Sequence, residues 1–272
     1  MPRITPPAFV AASLVAIGAY AVSLEAQDRT EQPGIRELEA NLSDDRARFN
    51  ARVESDVDDD LLELGRLVAM GGAEAGGSDM ACMTCHGAEG LGDGTGAFPR
   101  LAGQSGWYMY KQLVDYASED RPNDVMSPIA SRLTEREMEA VAAYYAAVDA
   151  PFRPVVGEID HSLLQWGGQL GAVGSAERGI PACVNCHGPS GTGNPPAVPY
   201  IAGQYASYMT HQLDLWKRGR RDNDALGVMS AIASKMTEED MRAVSEYYAR
   251  VRPPERSGGS VESEAEDVTL SE

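Results

Sequence analysis

The motif Cys-x-x-Cys-His occurs twice in this chain of 272 residues, at positions 82–86 and 183–187. The two motifs contain all four cysteines of the sequence. This motif is typical of a covalent c-type haem, in which both thiols bind the porphyrin and the histidine ligates the iron. The sequence therefore predicts two covalently bound haem c groups. Their attachment residues and proximal iron ligands are Cys82, Cys85, His86, Cys183, Cys186 and His187.

Other roles for the cysteines are a four-thiolate zinc site, a thioredoxin-like redox pair or ordinary disulfides. None of them explains the histidine that directly follows each pair, and neither motif lies in a βαβ pattern. The chain also carries the signs of an exported protein, which favours haem attachment over a zinc-thiolate site. We therefore expect haem.

An apolar run from residue 8 to 24 follows Arg3 at the N-terminus. It fits a cleaved secretory signal within residues 1–26 or an uncleaved membrane anchor at the short limit for crossing a bilayer. Both place the rest of the chain in the periplasm, soluble or tethered to the inner membrane. The net charge of −18 argues against nucleic acid and anionic membrane surfaces as partners.

The chain contains one internal repeat with an offset near 100 residues. Residues 81–87 match 182–188, and Pro-x-x-Ala-Gly-Gln at 99–104 matches 199–204. A period this long predicts two complete tandem haem domains. We expect a signal or anchor at 1–26, an acidic spacer at 27–60, haem domain 1 at 61–150, a linker and haem domain 2 at 151–253, and a disordered acidic tail at 254–272.

The pattern within each copy is helical. Apolar residues recur at helical spacing in segments 61–70 and 163–173 before the motifs, in a middle helix, and after a capping box at Thr134–Glu137. Neither copy shows a convincing strand. We predict an all-α fold in which a few helices surround one covalent haem in each domain.

The second axial ligand of each iron decides between an electron carrier and an enzyme. Methionine suits a carrier because its thioether stabilises ferrous iron. Met126 and Met229 recur in both copies outside the helical patterns, whereas the other recurring methionines lie on apolar helical stripes. We predict Met126 and Met229 as distal ligands, presented by loops. The carbonyls of Pro99 and Pro199 follow the motifs by 13 and 12 residues and are candidate acceptors for the proximal histidines.

These motifs together resemble the class I cytochromes c, and among them the dihaem cytochrome c4 group. The resemblance covers most of the chain and includes the Met-Ser segments before the last helices. It implies His86/Met126 and His187/Met229 as axial pairs. It also implies an electron-transfer role in the periplasm, between a quinol-oxidising complex and a terminal oxidase.

Two other functions are open at this level. The chain is an alternative candidate for the cytochrome subunit of a flavocytochrome-type enzyme such as sulfide dehydrogenase, with its acidic segments as docking elements. A dihaem peroxidase needs one open distal position, which the recurring methionine pair disfavours. We therefore expect an electron-transfer protein and not an enzyme.

Overall fold

The computed structural model describes residues 57–155, 157–194 and 197–252. The predicted signal or anchor, most of the acidic spacer and the acidic tail lie outside these ranges. Within them, no helix is both long and apolar enough to cross a membrane.

Each repeat is a set of three long and two short helices. The first repeat comprises α1 (Asp59–Ala69), α2 (Cys82–His86), α3 (Gly106–Ala117), α4 (Met126–Ala130) and α5 (Glu135–Ala147). The second comprises α6 (His161–Ala172), α7 (Val184–His187), α8 (Ala206–Lys217), α9 (Val228–Ala233) and α10 (Glu238–Arg250). The described residues form isolated β-bridges at Ser175–Ile180 and Asn194–Val198 but no strand. The all-α prediction is confirmed.

The first helix of each repeat begins two residues before its predicted start, because an aspartate caps it. Asp58 Oδ1 accepts a hydrogen bond from Leu61 N at 2.8 Å, and Asp160 Oδ1 accepts one from Ser162 N at 2.8 Å. Each cap satisfies an amide that the helix itself leaves unpaired.

The prediction that loops present Met126 and Met229 is wrong. Met126 is the first residue of α4, and Met229 is the second residue of α9. Upstream side chains start both helices: Asn123 Oδ1 accepts from Met126 N at 2.8 Å, and Asp224 Oδ2 accepts from Met229 N at 2.6 Å. A polar side chain that accepts a hydrogen bond from a free amide can start a helix. This holds even in a segment too short to show a helical pattern of apolar residues.

The first and last long helices of each repeat cross at a glycine. A Cβ added to Gly65 in α1 would lie 2.1 Å from the carbonyl oxygen of Ala140 in α5. The matching crossing in the second repeat gives 2.0 Å between Gly167 and the Ala243 oxygen. Only glycine permits this backbone approach, which brings the helices together over the core.

Capping boxes open the last helix of both repeats. In α5, Glu137 N donates to Thr134 Oγ1 at 3.3 Å and Thr134 N donates to Glu137 Oε2 at 2.7 Å. In α10, the shorter Asp240 completes the same box with Thr237. Asp240 also accepts from Trp166 Nε1 at 2.8 Å and pairs with Arg178, which ties α6 to α10.

Two glutamines join the repeats by reciprocal backbone contacts. Gln104 Nε2 donates to Tyr200 O at 2.8 Å, and Gln104 Oε1 accepts from Tyr200 N at 2.9 Å. Gln204 makes the matching pair with Arg100 O and Arg100 N, at 2.9 and 3.0 Å. The interface therefore follows the pseudo-twofold relation of the repeats.

Candidate haem sites

The two Cys-x-x-Cys-His motifs form the short helices α2 and α7, with Cys183 as the N-cap residue of α7. Cys82, Cys85 and Cys183 are half-buried and Cys186 is exposed, and all four are free thiols. The thiols are thus unpaired, as haem attachment requires, and form no disulfide.

Both motif histidines are buried, and each is oriented by a proline carbonyl. His86 is 6% exposed and its Nδ1 lies 2.9 Å from Pro99 O. His187 is 9% exposed and its Nδ1 lies 2.9 Å from Pro199 O. A carbonyl can only accept, so Nδ1 carries the proton and Nε2 keeps the lone pair that a metal needs. The hydrogen bonds predicted from the spacing are present in both repeats.

Burial keeps these side chains neutral. Desolvation lowers the pKa of His86 and His187, although the proline carbonyls oppose part of that effect. Burial also raises the pKa of Cys82 and Cys183 to about 11. A redox-active thiol pair needs a lowered pKa instead. Among the described residues, no group of three or more His, Cys, Asp or Glu side chains could hold a metal ion. The geometry thus favours neither a thioredoxin-like couple nor a zinc-thiolate cluster.

Among the described residues, three buried aromatic side chains have a polar atom without a hydrogen-bond partner. These atoms are Tyr145 OH, Tyr248 OH and Trp216 Nε1. Tyr145 packs in one apolar cluster with Cys82, and Tyr248 packs in the matching cluster with Cys183. Burial raises the pKa of both tyrosines, which keeps the phenols protonated. Unpaired buried donors next to the attachment cysteines fit a pocket that a porphyrin completes.

The candidate distal methionines differ in their surroundings. Met229 packs against the same buried cluster as Cys183 and Trp216 in the second repeat. Met126 is half-buried at the start of α4. By contrast, Met109, Met138 and Met241 are buried core residues, as their helical stripes predict.

The sequence reasoning missed a buried polar network between the repeats. Arg121 Nη1 donates to Gln112 Oε1 at 2.8 Å, and Arg121 Nη2 reaches Gln212 Oε1 at 2.7 Å across the interface. Arg221 makes the mirrored contacts, to Gln212 at 2.7 Å and Gln112 at 3.0 Å. A signal was available, because the same arginines and glutamines recur in both copies at an offset of 100.

Each arginine of the network also binds a tyrosine of the other repeat. Arg121 Nη2 lies 3.1 Å from Tyr208 OH, and Arg221 Nη2 lies 3.2 Å from Tyr108 OH. Burial opposes ionisation of Tyr108, but the two guanidinium groups outweigh it and hold its pKa below the usual range. The network therefore places two cations at the junction of the repeats.

A family model and individual relatives assign this chain to the same protein family. The family model described as cytochrome c matches residues 77–148 and again 180–251. The chain is 42% identical to the "Thiosulfate dehydrogenase electron acceptor" of Stutzerimonas stutzeri (strain A1501), over 68% of this chain and 85% of that protein. It is 36% identical to cytochrome c4 of Pseudomonas aeruginosa, over 66% of this chain and 88% of that protein.

Solved structures give the same result. Reduced recombinant cytochrome c4 from Pseudomonas stutzeri aligns with a TM-score of 0.56 at 32% identity, covering 63% of this chain and 93% of that chain. A thiosulfate dehydrogenase from Marichromatium purpuratum aligns with a TM-score of 0.64 at 36% identity, covering 70% of this chain. This chain spans only 40% of that dehydrogenase chain.

The doubled family match, the relatives and the haem-site geometry agree with one another. Two cytochrome c domains carry two covalent haem c groups, and the cytochrome c4 relatives transfer electrons without being enzymes. The chain therefore belongs to the cytochrome c family, as a dihaem, cytochrome c4-like electron-transfer protein.

Proposed function

We propose that this protein accepts electrons from a thiosulfate dehydrogenase and passes them to a respiratory acceptor. The observation that carries the proposal is the 42% identity, over 85% of its length, to a relative whose name states that role. A second such relative, from Thiomonas intermedia, is 37% identical over 77% of its length. The structural similarity to part of a thiosulfate dehydrogenase chain also supports it.

The test is reduction of the oxidised holoprotein by thiosulfate and a catalytic amount of the thiosulfate dehydrogenase of Stutzerimonas stutzeri. We expect both haems to become reduced, as followed in their visible absorption bands. Samples that lack either the enzyme or thiosulfate should stay oxidised. The electron acceptor of the same bacterium is the positive control. Reduction of that control without reduction of this protein would contradict the proposal.

We further propose His86/Met126 and His187/Met229 as the axial pairs, with the haems attached at Cys82, Cys85, Cys183 and Cys186. The iron, when bound, alternates between its ferric and ferrous states. The oriented, neutral histidines support these assignments, as does the packing of Met229 and Cys183 against one buried cluster. Two methionine-ligated irons would be closed to substrates, which suits a carrier.

Single Met126→Ala and Met229→Ala variants test the ligand assignment. Each should lose the charge-transfer band of one methionine-ligated ferric haem and lower one of the two reduction potentials. Met138→Leu, a core methionine of α5, is the matched control and should leave band and potentials unchanged. Unchanged spectra in both alanine variants would mean that other groups ligate the irons.

We propose a periplasmic location, with haem domain 1 at 61–150 and a linker and haem domain 2 at 151–253. A quinol-oxidising complex and a terminal oxidase are proposed as further partners. The apolar run at 8–24 and the resemblance to exported carriers support this. N-terminal sequencing of the mature protein tests it: a start near residue 27 indicates a cleaved signal, and an intact start indicates a tether. Copurification with a stoichiometric flavoprotein would instead favour the flavocytochrome-subunit alternative.

A further inference from the structure

The turn that follows the middle helix has opposite charge in the two repeats. After α8, residues 217–220 read Lys-Arg-Gly-Arg, whereas the matching residues 117–120 read Ala-Ser-Glu-Asp. Lys217, Arg218 and Arg220 are exposed, and so are Glu119 and Asp120. Three cations in one exposed turn are unusual for a chain of net charge −18, so this turn differs electrostatically from most of the protein.

An apolar protrusion follows the basic turn. The second repeat has three extra residues, 225–227, before its candidate ligand, and they form a 3₁₀ turn. Leu226 in this turn is 76% exposed and has a φ of +60°, a conformation that costs a side chain about 1–2 kcal/mol. Val228 is also exposed. A strained, exposed leucine contributes nothing to the core, so the fold does not account for it.

Trp216 links the basic turn to the residues around the second Cys-x-x-Cys-His motif. Trp216 directly precedes the basic turn and packs in the cluster that contains Cys183 and Met229. The Arg221 guanidinium lies 4.0 Å from the centre of the Trp216 ring. Cys186 is exposed whereas its counterpart Cys85 is half-buried, so the attachment edge is more accessible in this repeat.

We propose that Lys217, Arg218, Arg220, Leu226 and Val228 form a docking surface for an electron-transfer protein whose contact face carries carboxylates around an apolar centre. The cations would steer such a partner, and the leucine would supply the apolar contact. The acidic turn of the first repeat repels the same partner, so the second repeat takes it. The surface does not depend on a thiosulfate dehydrogenase being that partner.

Stopped-flow reduction by a reduced plant-type ferredoxin, a small acidic redox protein, tests the charges. At low ionic strength, the Arg218→Gln/Arg220→Gln variant should be reduced about three- to tenfold more slowly than the parent protein, and high salt should remove the difference. The matched control is Arg66→Gln/Arg136→Gln in the first repeat. It changes the net charge equally, and Arg66 pairs with Glu63 as Arg218 pairs with Asp214. This control should be slowed by less than about 1.5-fold.

Equal slowing of both double variants, or slowing of neither, would overturn the docking surface. Leu226→Gly tests the apolar part at high ionic strength, where charges are screened. A rate about twofold lower supports the contact, and an unchanged rate removes Leu226 and Val228 from the surface. Unaltered haem content and visible spectra show that each variant is folded. The ferredoxin experiment does not use the natural donor. Its result therefore tests the docking surface even if the thiosulfate experiment fails.

Discussion

Replacing Gln104 by alanine should weaken the junction of the two repeats by about 2–3 kcal/mol. The change removes the two hydrogen bonds to the Tyr200 backbone, at 2.8 and 2.9 Å, each with a net value of about 1 kcal/mol. Tyr200 is only half-buried, so we expect its amide and carbonyl to regain some contact with water. They therefore add less than the full cost of an unpaired buried group, which is about 1–3 kcal/mol.

The measurement is reversible unfolding of the holoprotein in guanidinium chloride, followed by far-UV circular dichroism and by the haem absorbance. The Gln104→Ala/Gln204→Ala variant loses all four reciprocal bonds, so we expect its repeats to unfold in separate transitions. The two single substitutions should not be additive, because both act on one interface. Gln165→Ala, on the exposed side of α6, is the control and should change the free energy of unfolding by less than about 0.5 kcal/mol.

A cost for Gln104→Ala no larger than that of the control would refute the reasoning. It would mean that hydrogen bonds to water replace those of the glutamine without a net change in the free energy of unfolding. The junction would then depend on its other contacts, which include the arginine network and the bonds from Tyr205 OH to Leu91 O and from Ser207 Oγ to Thr95 O. A single cooperative transition in the double variant would likewise show that the glutamines do not couple the repeats.

Three further changes test the packing, the capping and the backbone. Gly167→Ala should destabilise the protein by at least about 3 kcal/mol in thermal unfolding, because the added Cβ would lie 2.0 Å from a carbonyl oxygen. The control is Gly168→Ala, whose Cβ would lie 3.2 Å from a tyrosine ring edge; it should cost under about 1.5 kcal/mol. Asp240→Asn should lower the free energy of unfolding by about 2 kcal/mol at neutral pH. Burial opposes ionisation of Asp240, but hydrogen bonds from Arg178, Thr237 and Trp166 outweigh it and lower its pKa from 3.8 to about 2. This stability is present above pH about 4 and is lost as the pH falls towards 2, so acid titrations of parent and variant should converge there. Glu119→Gly should raise the melting temperature slightly and Gly219→Glu should lower it, because both positions have a φ near +65°; equal melting temperatures would show that the turns carry no strain.

Most of the candidate haem-site residues were predicted from local patterns in the sequence. The predicted attachment cysteines and proximal histidine lie within five consecutive positions in each motif, so no knowledge of the fold was needed to group them. The spacing to Pro99 and Pro199 was enough to predict the orienting hydrogen bond. The capping box at Thr134 likewise depends on residues three positions apart, as does its variant at Asp240.

The placement of the two candidate distal methionines was only partly predictable. Their recurrence in both copies identified Met126 and Met229 as candidates, but not the short helices on which they lie. Those helices depend on whether Asn123 and Asp224 turn their side chains towards the amides that follow. The direction of these side chains depends on local packing, and the spacing of apolar residues in the sequence gives no information about it.

The sequence by itself determined the two haem motifs and the helical class, because each depends on residues within a few turns of one another. It also determined the doubling of the domain, because a repeat at an offset near 100 residues is visible without any knowledge of contacts. Only the tertiary structure decided how the copies join. Arg121 and Gln212 are 91 positions apart, and Gln104 meets Tyr200 across 96. Contacts of this kind depend on the relative placement of two folded bodies, and no periodicity within either copy specifies that placement.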